Sequence, residues 1–316
     1  MIMDKILHLV ENISTKKRRM DTLTKFKDEK AVIGFIGTGV MGKSMVRHLL
    51  LGGYEVVIYN RTKKKAEDLL KEGANWGSTP KDVAERSHII ITMVGYPSDV
   101  ENLYLGEEGI IHNCKTGCIL IDMTTSSPTL ARKIHKIGSE RGIFTLDAPV
   151  SGGDIGAREG KLSIMVGGEL EQFEKVKPLL NLLGTNVIYQ GESGAGQHTK
   201  MCNQITIASN MIGVSEALVY AKKSGLNPDT VLKSITSGAA GSWSLSNLVP
   251  RMIQEDFTPG FYVKHFIKDL KIALESAKEM GIKTPGLELA LSMYEELALK
   301  GEENSGTQAI IKLLEE

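Results

Sequence analysis

From residue 31 onward, short apolar segments alternate with longer stretches in which apolar residues recur at helical spacing. The stretches with helical spacing predict helices at 41–52, 62–72, 80–86, 98–104, 128–141 and 170–183. The apolar segments are rich in β-branched residues and predict strands at 31–37, 55–60, 88–94, 118–124, 143–150, 162–168 and 186–191. Because near-continuous apolar strands alternate with helices, we expect a doubly wound α/β domain whose parallel sheet is covered on both faces.

The alternation stops after Gly191, and no further strand is predicted. One long helix is predicted from Ala195 to about Lys223, because Gly225 ends the helical pattern there. Shorter helices are predicted at 228–237, 264–280, 285–299 and 305–315. We therefore expect three parts: an N-terminal extension at 1–30, a nucleotide-binding domain at 31–193 and an all-helical domain at 194–316.

The first thirty residues do not fit this pattern. They begin with a weakly amphipathic stretch, followed by four basic residues at 16–19. The apolar centre is too short for a secretory signal, and Asp4 and Glu11 are unusual in a transit peptide. We expect an extension without a catalytic role, or translation that starts at Met20.

Composition excludes several classes of protein. Lys and Arg number 38, as do Asp and Glu, so the chain has no basic excess of the kind that nucleic-acid binders carry. No apolar run approaches the ~20 residues that span a bilayer. The three cysteines among 316 residues form neither a disulfide framework nor a paired metal-binding pattern. We expect no metal site, no membrane segment and a cytoplasmic location.

The first predicted strand runs directly into a glycine-rich turn, "VIGFIGTGVMG" at 32–42. In a strand–turn–helix setting, the first glycine permits a tight turn, the second lets a pyrophosphate approach the backbone, and the third lets the helix pack closely. The helix N-terminus then offers free N–H groups to the phosphates. A merely structural turn is the alternative. We expect a Rossmann-type dinucleotide site that uses Gly37, Thr38, Gly39, Val40, Met41 and Gly42.

The end of the second strand bears on the choice of cofactor. An acidic residue about 20 positions after the first glycine normally binds the ribose of NAD. This chain has Asn60, Arg61 and Thr62 there instead. Arg61 can pair with a 2′-phosphate, and its two neighbours can add hydrogen bonds. We expect NADP to be preferred over NAD, unless Arg61 is only a solvated surface charge.

Two further stretches carry candidate chemistry. In "DAPVSGG", Ser151 offers a hydroxyl, and Gly152 and Gly153 offer backbone amides to a small carboxylate, unless the loop is merely glycine-rich. On the long helix, Lys200 and Asn203 are three residues apart and share a face. The positive end of the helix and an apolar wall would lower the pKa of Lys200, which suits a proton donor.

A third stretch, "PGFYVKHFIKDLKIA", contains Phe261, Lys268 and Asp269 among apolar residues. A Lys–Asp pair on a helix is usually exposed. Here the apolar neighbours predict a heavily buried helix, so this pair differs from the usual exposed one.

The segments "GFIGTGVMG", "DMTTSSP", "DAPVSGG" and "KDLKIAL", with a GxxGxGxxxKxxxN-like spacing, occur in this order. In this combination the chain resembles the β-hydroxyacid dehydrogenases from about Val32 to the C-terminus. That family includes 3-hydroxyisobutyrate dehydrogenase, tartronate semialdehyde reductase, and the glyoxylate and succinic semialdehyde reductases. Here the family's asparagine is matched with Asn203, so the pattern becomes K-x-x-N.

The resemblance implies roles by position. Lys200 matches the lysine that protonates the carbonyl oxygen as hydride arrives, and Asn203 matches the asparagine beside it. The matching substrate residues are Ser151, Gly152, Gly153, Thr125, Phe261 and Asp269. The further cofactor contacts that it implies are Thr125, Lys268, Met93 and Val94. The segment "VGYPSD" departs from commoner versions, which leaves the substrate's shape open.

We therefore expect an NADP-preferring oxidoreductase that acts reversibly on a short 3-hydroxy acid or semialdehyde acid, as a homodimer or homotetramer. An NADPH-dependent imine reductase is one alternative, although such enzymes generally lack the lysine. A non-catalytic binding module is another, although such derivatives tend to lose the proton donor. The larger relative 6-phosphogluconate dehydrogenase has a longer helical domain than this chain can form.

Overall fold

The computed structural model describes residues 31–315. The expected N-terminal extension and the alternative start at Met20 lie outside the described residues.

Within residues 31–315, nine strands join in one sheet, and most fall where the sequence predicts them. They are β1 (Val32–Ile36), β2 (Glu55–Tyr59), β3 (Asn75–Trp76), β4 (Ile89–Thr92), β5 (Ile119–Asp122), β6 (Phe144–Asp147), β7 (Val150–Ser151), β8 (Leu162–Gly167) and β9 (Gly184–Gly191). The sheet order β3-β2-β1-β4-β5-β6 is parallel throughout. This order confirms the Rossmann-type, doubly wound fold.

The sequence predicted a sheet whose strands are all parallel. This expectation is wrong at one edge of the sheet, where β8 runs antiparallel to β6 and β7. The predicted strand at 143–150 divides into β6 and β7, and both pair antiparallel with β8. β9 then pairs parallel with β8. Between β6 and β8 the chain forms only β7 and the short helix Gly153–Glu159.

Both faces of the sheet are covered. In β4, Ile89 and Ile91 belong to one apolar cluster and Ile90 belongs to another. Because successive side chains of a strand point to opposite faces, the two clusters lie on opposite sides of the sheet. This arrangement explains why three consecutive residues of the strand, Ile89 to Ile91, are apolar instead of alternate ones.

The helices that flank and follow the sheet match the predicted ones except where they are short. In chain order they are Val40–Leu51, Glu67–Lys71, Pro80–Arg86, Pro97–Leu105, Ile110–Asn113, Pro128–Ser139, Gly153–Glu159, Leu170–Leu180, Ala195–Lys223, Pro228–Ile235, Trp243–Asn247, Val249–Ile253, Val263–Glu279 and Pro285–Leu297. Three further segments are 3₁₀- or π-helical: Lys63–Ala66, Ala298–Glu302 and Thr307–Leu313. The helix predicted at 305–315 is therefore 3₁₀, and the one predicted at 62–72 begins as 3₁₀.

Contacts divide the described chain into two compact units. The first runs to Thr124 and from Thr129 to Gly196; the second combines Thr125–Pro128 with the residues from Gln197 onward. The second unit has its own core, in which Phe266 packs edge-on against Tyr294 with ring centroids 4.9 Å apart. Among the described helices, none has both the length and the apolar character needed to cross a membrane.

A pair of glycine substitutions tests the packing of the first helix. A Cβ on Gly42 would lie 2.0 Å from the carbonyl oxygen of Gly37, whereas a Cβ on Gly213, in the long helix, would meet nothing within 4 Å. We expect Gly42→Ala to lower the free energy of unfolding by about 1–3 kcal/mol through overpacking. Gly213→Ala should raise it by about 0.5–1 kcal/mol through helix propensity.

Urea unfolding midpoints of the cofactor-free protein measure both changes. Equal effects of the two substitutions would show that the first helix does not depend on a close approach at Gly42.

Candidate functional site

The glycine turn after β1 is built on close backbone contacts. Gly37 has φ +100°, and a Cβ there would lie 2.2 Å from the carbonyl oxygen of Met93. The amide of Gly37 donates to the carbonyl of Tyr59 at 3.0 Å. Gly42 faces Gly37 from the helix side. The turn is thus held between β2, the end of β4 and the first helix.

Gly39 differs from its two neighbours. A Cβ at Gly39 would meet nothing within 4 Å, so the space beside its backbone is open. Gly39 precedes the helix Val40–Leu51, whose first turn has no side-chain cap, and Val40 is exposed. Uncapped amides at the start of a helix bind phosphate well. The turn therefore fits the pyrophosphate of a dinucleotide.

The side chain of Asn60 is hydrogen-bonded to backbone on both sides of β2's end. Its Oδ1 accepts from the amide of Thr38 at 3.2 Å, and its Nδ2 donates to the carbonyl of Thr62 at 2.9 Å. Asn60 thus ties the end of β2 to the glycine turn. Arg61 extends outward with its side chain 83% exposed, and its Nη1 lies 3.5 Å from Oδ1 of Asp99.

A buried carboxylate joins the loops that follow β4 and β5. Oδ1 of Asp122 accepts from the Thr92 hydroxyl at 2.9 Å and from the Thr124 amide at 3.1 Å. Because Thr92 donates its only hydroxyl proton there, the Tyr104 hydroxyl 2.9 Å away must donate to Thr92. The Thr124 hydroxyl accepts from the amide of Val94 at 3.0 Å. The loop that contains Met93 and Val94 is therefore fixed to the β5 loop.

Ser151 to Gly153 do not form a free loop. Ser151 is half-buried in β7, and Gly153 begins the helix Gly153–Glu159. Gly152 and Gly153 have φ +129° and +62°, a backbone that other residues rarely adopt. Nearby, the buried Asp147 accepts from the amide of Gly194 at 2.7 Å. Asp147 thereby fixes the segment that leads into the long helix.

In the second unit, Lys200 is 6% exposed. Burial lowers the pKa of its ammonium from 10.5 to about 8, and the charge of Lys268 acts in the same direction. The negative charge of Asp269 opposes both effects. The expected direction of the pKa shift is confirmed, and burial is its largest cause.

Around Asp269, four polar residues of the second unit form a connected network. Oδ2 of Asp269 accepts from Nε2 of Gln204 at 2.6 Å, and Oε1 of Gln204 accepts from Nδ2 of Asn203 at 2.7 Å. Oδ1 of Asp269 lies 3.0 Å from Nζ of Lys268, an ion-pair distance without hydrogen-bond alignment. Nζ of Lys268 also donates to the carbonyl of Thr125 at 2.8 Å. The structure thus brings together Thr125, Asn203, Lys268 and Asp269, four of the residues singled out in the sequence.

Two glutamines in this region were missed. Gln204 is 1% exposed, and Gln197, which is fully buried, accepts from the amide of Ser126 at 2.9 Å. The spacing could have revealed Gln204, because a residue four positions after Lys200 lies on the same face of the helix. Phe261, in contrast, lies at the surface of this unit with its ring edge-on to Phe266, 5.8 Å between centroids.

Comparison with known families covers nearly all the described residues. A family profile for the NAD-binding domain of 6-phosphogluconate dehydrogenase matches residues 32–191. A second profile, described as "NAD-binding of NADP-dependent 3-hydroxyisobutyrate dehydrogenase", matches residues 194–314.

Individual proteins match over nearly their full length. YkwC, an uncharacterised oxidoreductase of Bacillus subtilis, is 64% identical over 284 residues, 90% of this chain and 99% of the relative. The 2-hydroxy-3-oxopropionate reductase of Escherichia coli is 39% identical over 90% of this chain and 97% of its own. A structure of Mycobacterium tuberculosis 3-hydroxyisobutyrate dehydrogenase with L-serine has a TM-score of 0.83 at 28% identity, over 90% of this chain and 99% of the other.

The low pKa of Lys200 has a measurable effect on stability. A lysine with a pKa of about 8 when folded and 10.5 in its ordinary state destabilises the fold at pH values below 8, where it is charged in both states. At about 1.4 kcal/mol for each pH unit between the two values, the penalty is about 3 kcal/mol. It fades as the pH rises from 8 to 10.5.

We therefore expect Lys200→Met to raise the free energy of unfolding at pH 7 by up to about 3 kcal/mol, with a smaller gain at pH 10. Lys223→Met, an exposed position on the same helix, is the matched control. Urea unfolding at several pH values measures the difference. A gain that does not change with pH would contradict the lowered pKa.

Proposed function

The chain belongs to the β-hydroxyacid dehydrogenase family, and from this premise we propose that it transfers hydride reversibly between NADP(H) and a short 3-hydroxy acid or its semialdehyde. Membership makes the chain an oxidoreductase with a nicotinamide cofactor. The choice of NADP, the acid–base role of Lys200 and the class of substrate are the proposed part.

The proposed cofactor residues are those of the glycine turn, with Arg61 and Thr62 for the 2′-phosphate. The open space beside Gly39 supports this assignment, because a pyrophosphate needs backbone free of side chains. We include Asn60 as the residue that holds the turn, and Met93, Val94, Thr125 and Lys268 as further contacts. When bound, the nicotinamide supplies or accepts the hydride.

The observation that carries the proposal is the buried amine of Lys200. Reduction of an aldehyde needs a proton for the carbonyl oxygen, and oxidation of the alcohol needs a base to remove it. A group with a pKa of about 8 is available in both protonation states near neutral pH, as reversible acid–base catalysis requires. Burial is the main cause of the lowered pKa, while Asp269 raises it and Lys268 lowers it.

For the substrate, we propose a small carboxylate. The residues proposed for its carboxylate group are Ser151, with its hydroxyl, and Gly152 and Gly153, with their amides. Thr125, Asn203, Phe261 and Asp269 are proposed as further substrate-binding residues. The Escherichia coli relative is named for a short oxo acid, and the Mycobacterium tuberculosis structure contains L-serine, a hydroxylated carboxylic acid. Both support a hydroxy acid of about that size.

The buried lysine also favours this reaction over the alternatives. An imine reductase of the same fold generally lacks a lysine at this position, and a binding module gains nothing from burying one. We further propose a homodimer or homotetramer in the cytoplasm. The helix Pro228–Ile235 supports association, because none of its residues is buried although Val231, Leu232 and Ile235 line an apolar groove with the long helix.

Loss of the proton donor should abolish most turnover. We expect Lys200→Met to lower kcat by roughly 10²- to 10⁴-fold with NADPH and semialdehydes, since that is the usual worth of a general acid. NADPH binding, followed by the nicotinamide fluorescence, should change little. The substrates to screen are glyoxylate, succinic semialdehyde, methylmalonate semialdehyde and tartronate semialdehyde.

Lys223→Met again serves as the control and should keep the original kcat. Full turnover in Lys200→Met would refute the assigned role, whereas loss of NADPH binding would point to a structural defect.

Arg61 should determine the cofactor. We expect kcat/KM to be higher with NADPH than with NADH, and Arg61→Gln to reduce it for NADPH by at least about tenfold while leaving NADH nearly unchanged. Lys64→Gln removes another exposed charge of the same segment and should have a smaller effect. A clear preference of the original protein for NADH would overturn the assignment.

A further inference from the structure

The ion pair of Arg61 with Asp99 joins the segments that follow the two strands next to β1. Arg61 follows β2, whereas Asp99 lies in the first turn of the helix Pro97–Leu105, which follows β4. β1 lies between these two strands and is paired with both. In open α/β sheets, ligands bind at this carboxyl edge, where the strand order reverses. The 3.5 Å contact therefore joins the two walls of the proposed nucleotide crevice.

The two partners differ in how firmly they are held. Oδ2 of Asp99 accepts from the amide of Tyr96 at 3.1 Å, so its carboxylate is fixed at the start of the helix with its side chain 28% exposed. The side chain of Arg61 is 83% exposed. The contact thus consists of a fixed negative charge and an extended arginine that can turn toward another anion.

We propose that Asp99 is a specificity-determining residue that weakens the preference for NADP by competing with the 2′-phosphate for Arg61. This proposal rests on the proposed use of Arg61 as the phosphate-binding residue. To bind NADPH, the guanidinium must exchange the Asp99 carboxylate for the phosphate, and the two anions also repel one another across the crevice. NADH has a neutral hydroxyl at that position, so its binding does not depend on this exchange.

The competing explanation is that Asp99 only caps its helix. A carboxylate at the third helical position commonly accepts from a backbone amide at the helix start. Asp99→Asn separates the two roles, because the amide oxygen can still accept from Tyr96 while the negative charge is lost. If Asp99 has a purely structural role, Asp99→Asn should change the binding of NADPH and NADH equally.

The test is equilibrium binding of NADPH and NADH to the purified protein, followed by nicotinamide fluorescence. We expect Asp99→Asn to tighten NADPH binding by roughly threefold to tenfold at low salt and to leave NADH binding within about twofold. The selective gain should shrink as salt is raised, because exposed charges are screened. When Arg61→Gln is already present, Asp99→Asn should increase the affinity for NADPH by a smaller factor.

Glu101→Gln is the matched control. Glu101 is an acidic residue of the same helix, but it pairs with Lys133 at 2.6 Å instead of Arg61. Glu101→Gln should change the ratio of the dissociation constants for NADPH and NADH by less than about twofold. Unchanged or weaker NADPH binding in Asp99→Asn, an equal gain for both cofactors, or the same selective gain in Glu101→Gln would overturn the proposal.

The proposed cofactor preference is judged separately, from the original protein alone. If that protein binds NADH more tightly than NADPH, the preference fails. A selective gain for NADPH in Asp99→Asn that depends on Arg61 would still establish the competition.

Discussion

The first helix begins where it does because two glycines allow backbone to touch backbone. Any side chain at Gly42 would collide with the carbonyl of Gly37, and any side chain at Gly37 would collide with the carbonyl of Met93. This close packing leaves Gly39 as the one glycine of the motif with free space beside it. The proposed nucleotide site is thus a consequence of how closely the helix packs on the sheet. Asn60 and Asp122 strengthen the same arrangement from β2 and β5 through their hydrogen bonds.

A second constraint lies in the helical unit, where the amine of Lys200 is buried. Its burial works against stability at neutral pH, and the nearby Lys268 adds to the cost. Asp269 offsets part of that cost, and it is itself held by Gln204. Active sites commonly retain such unfavourable groups because a shifted pKa is needed for the chemistry. The polar network around Asp269 therefore fits the proposed catalytic role of Lys200 better than it fits a role in stability.

Periodicity was sufficient to predict most of the fold, because long strands and helices repeat their apolar pattern several times. It failed for short elements: Asn75–Trp76 has two residues, too few to show any period. The antiparallel pairing of β8 was also missed, since strand direction depends on the connection and not on the strand's own pattern. For the candidate site, residue type and spacing predicted Lys200 and Asp269, and the structure shows that both are buried. They did not identify Gln204, Asp122 or Asp99, whose importance comes from partners distant in the sequence.

The central claim is that Lys200 can gain and lose its proton near neutral pH within the folded protein. The most direct measurement is an NMR titration of the protein labelled with ¹³C at the lysine ε-carbon, with the Lys200 signal assigned from the Lys200→Arg variant. We predict a midpoint of about 8 for this residue. A midpoint near 10.5, the ordinary value for lysine, would contradict it.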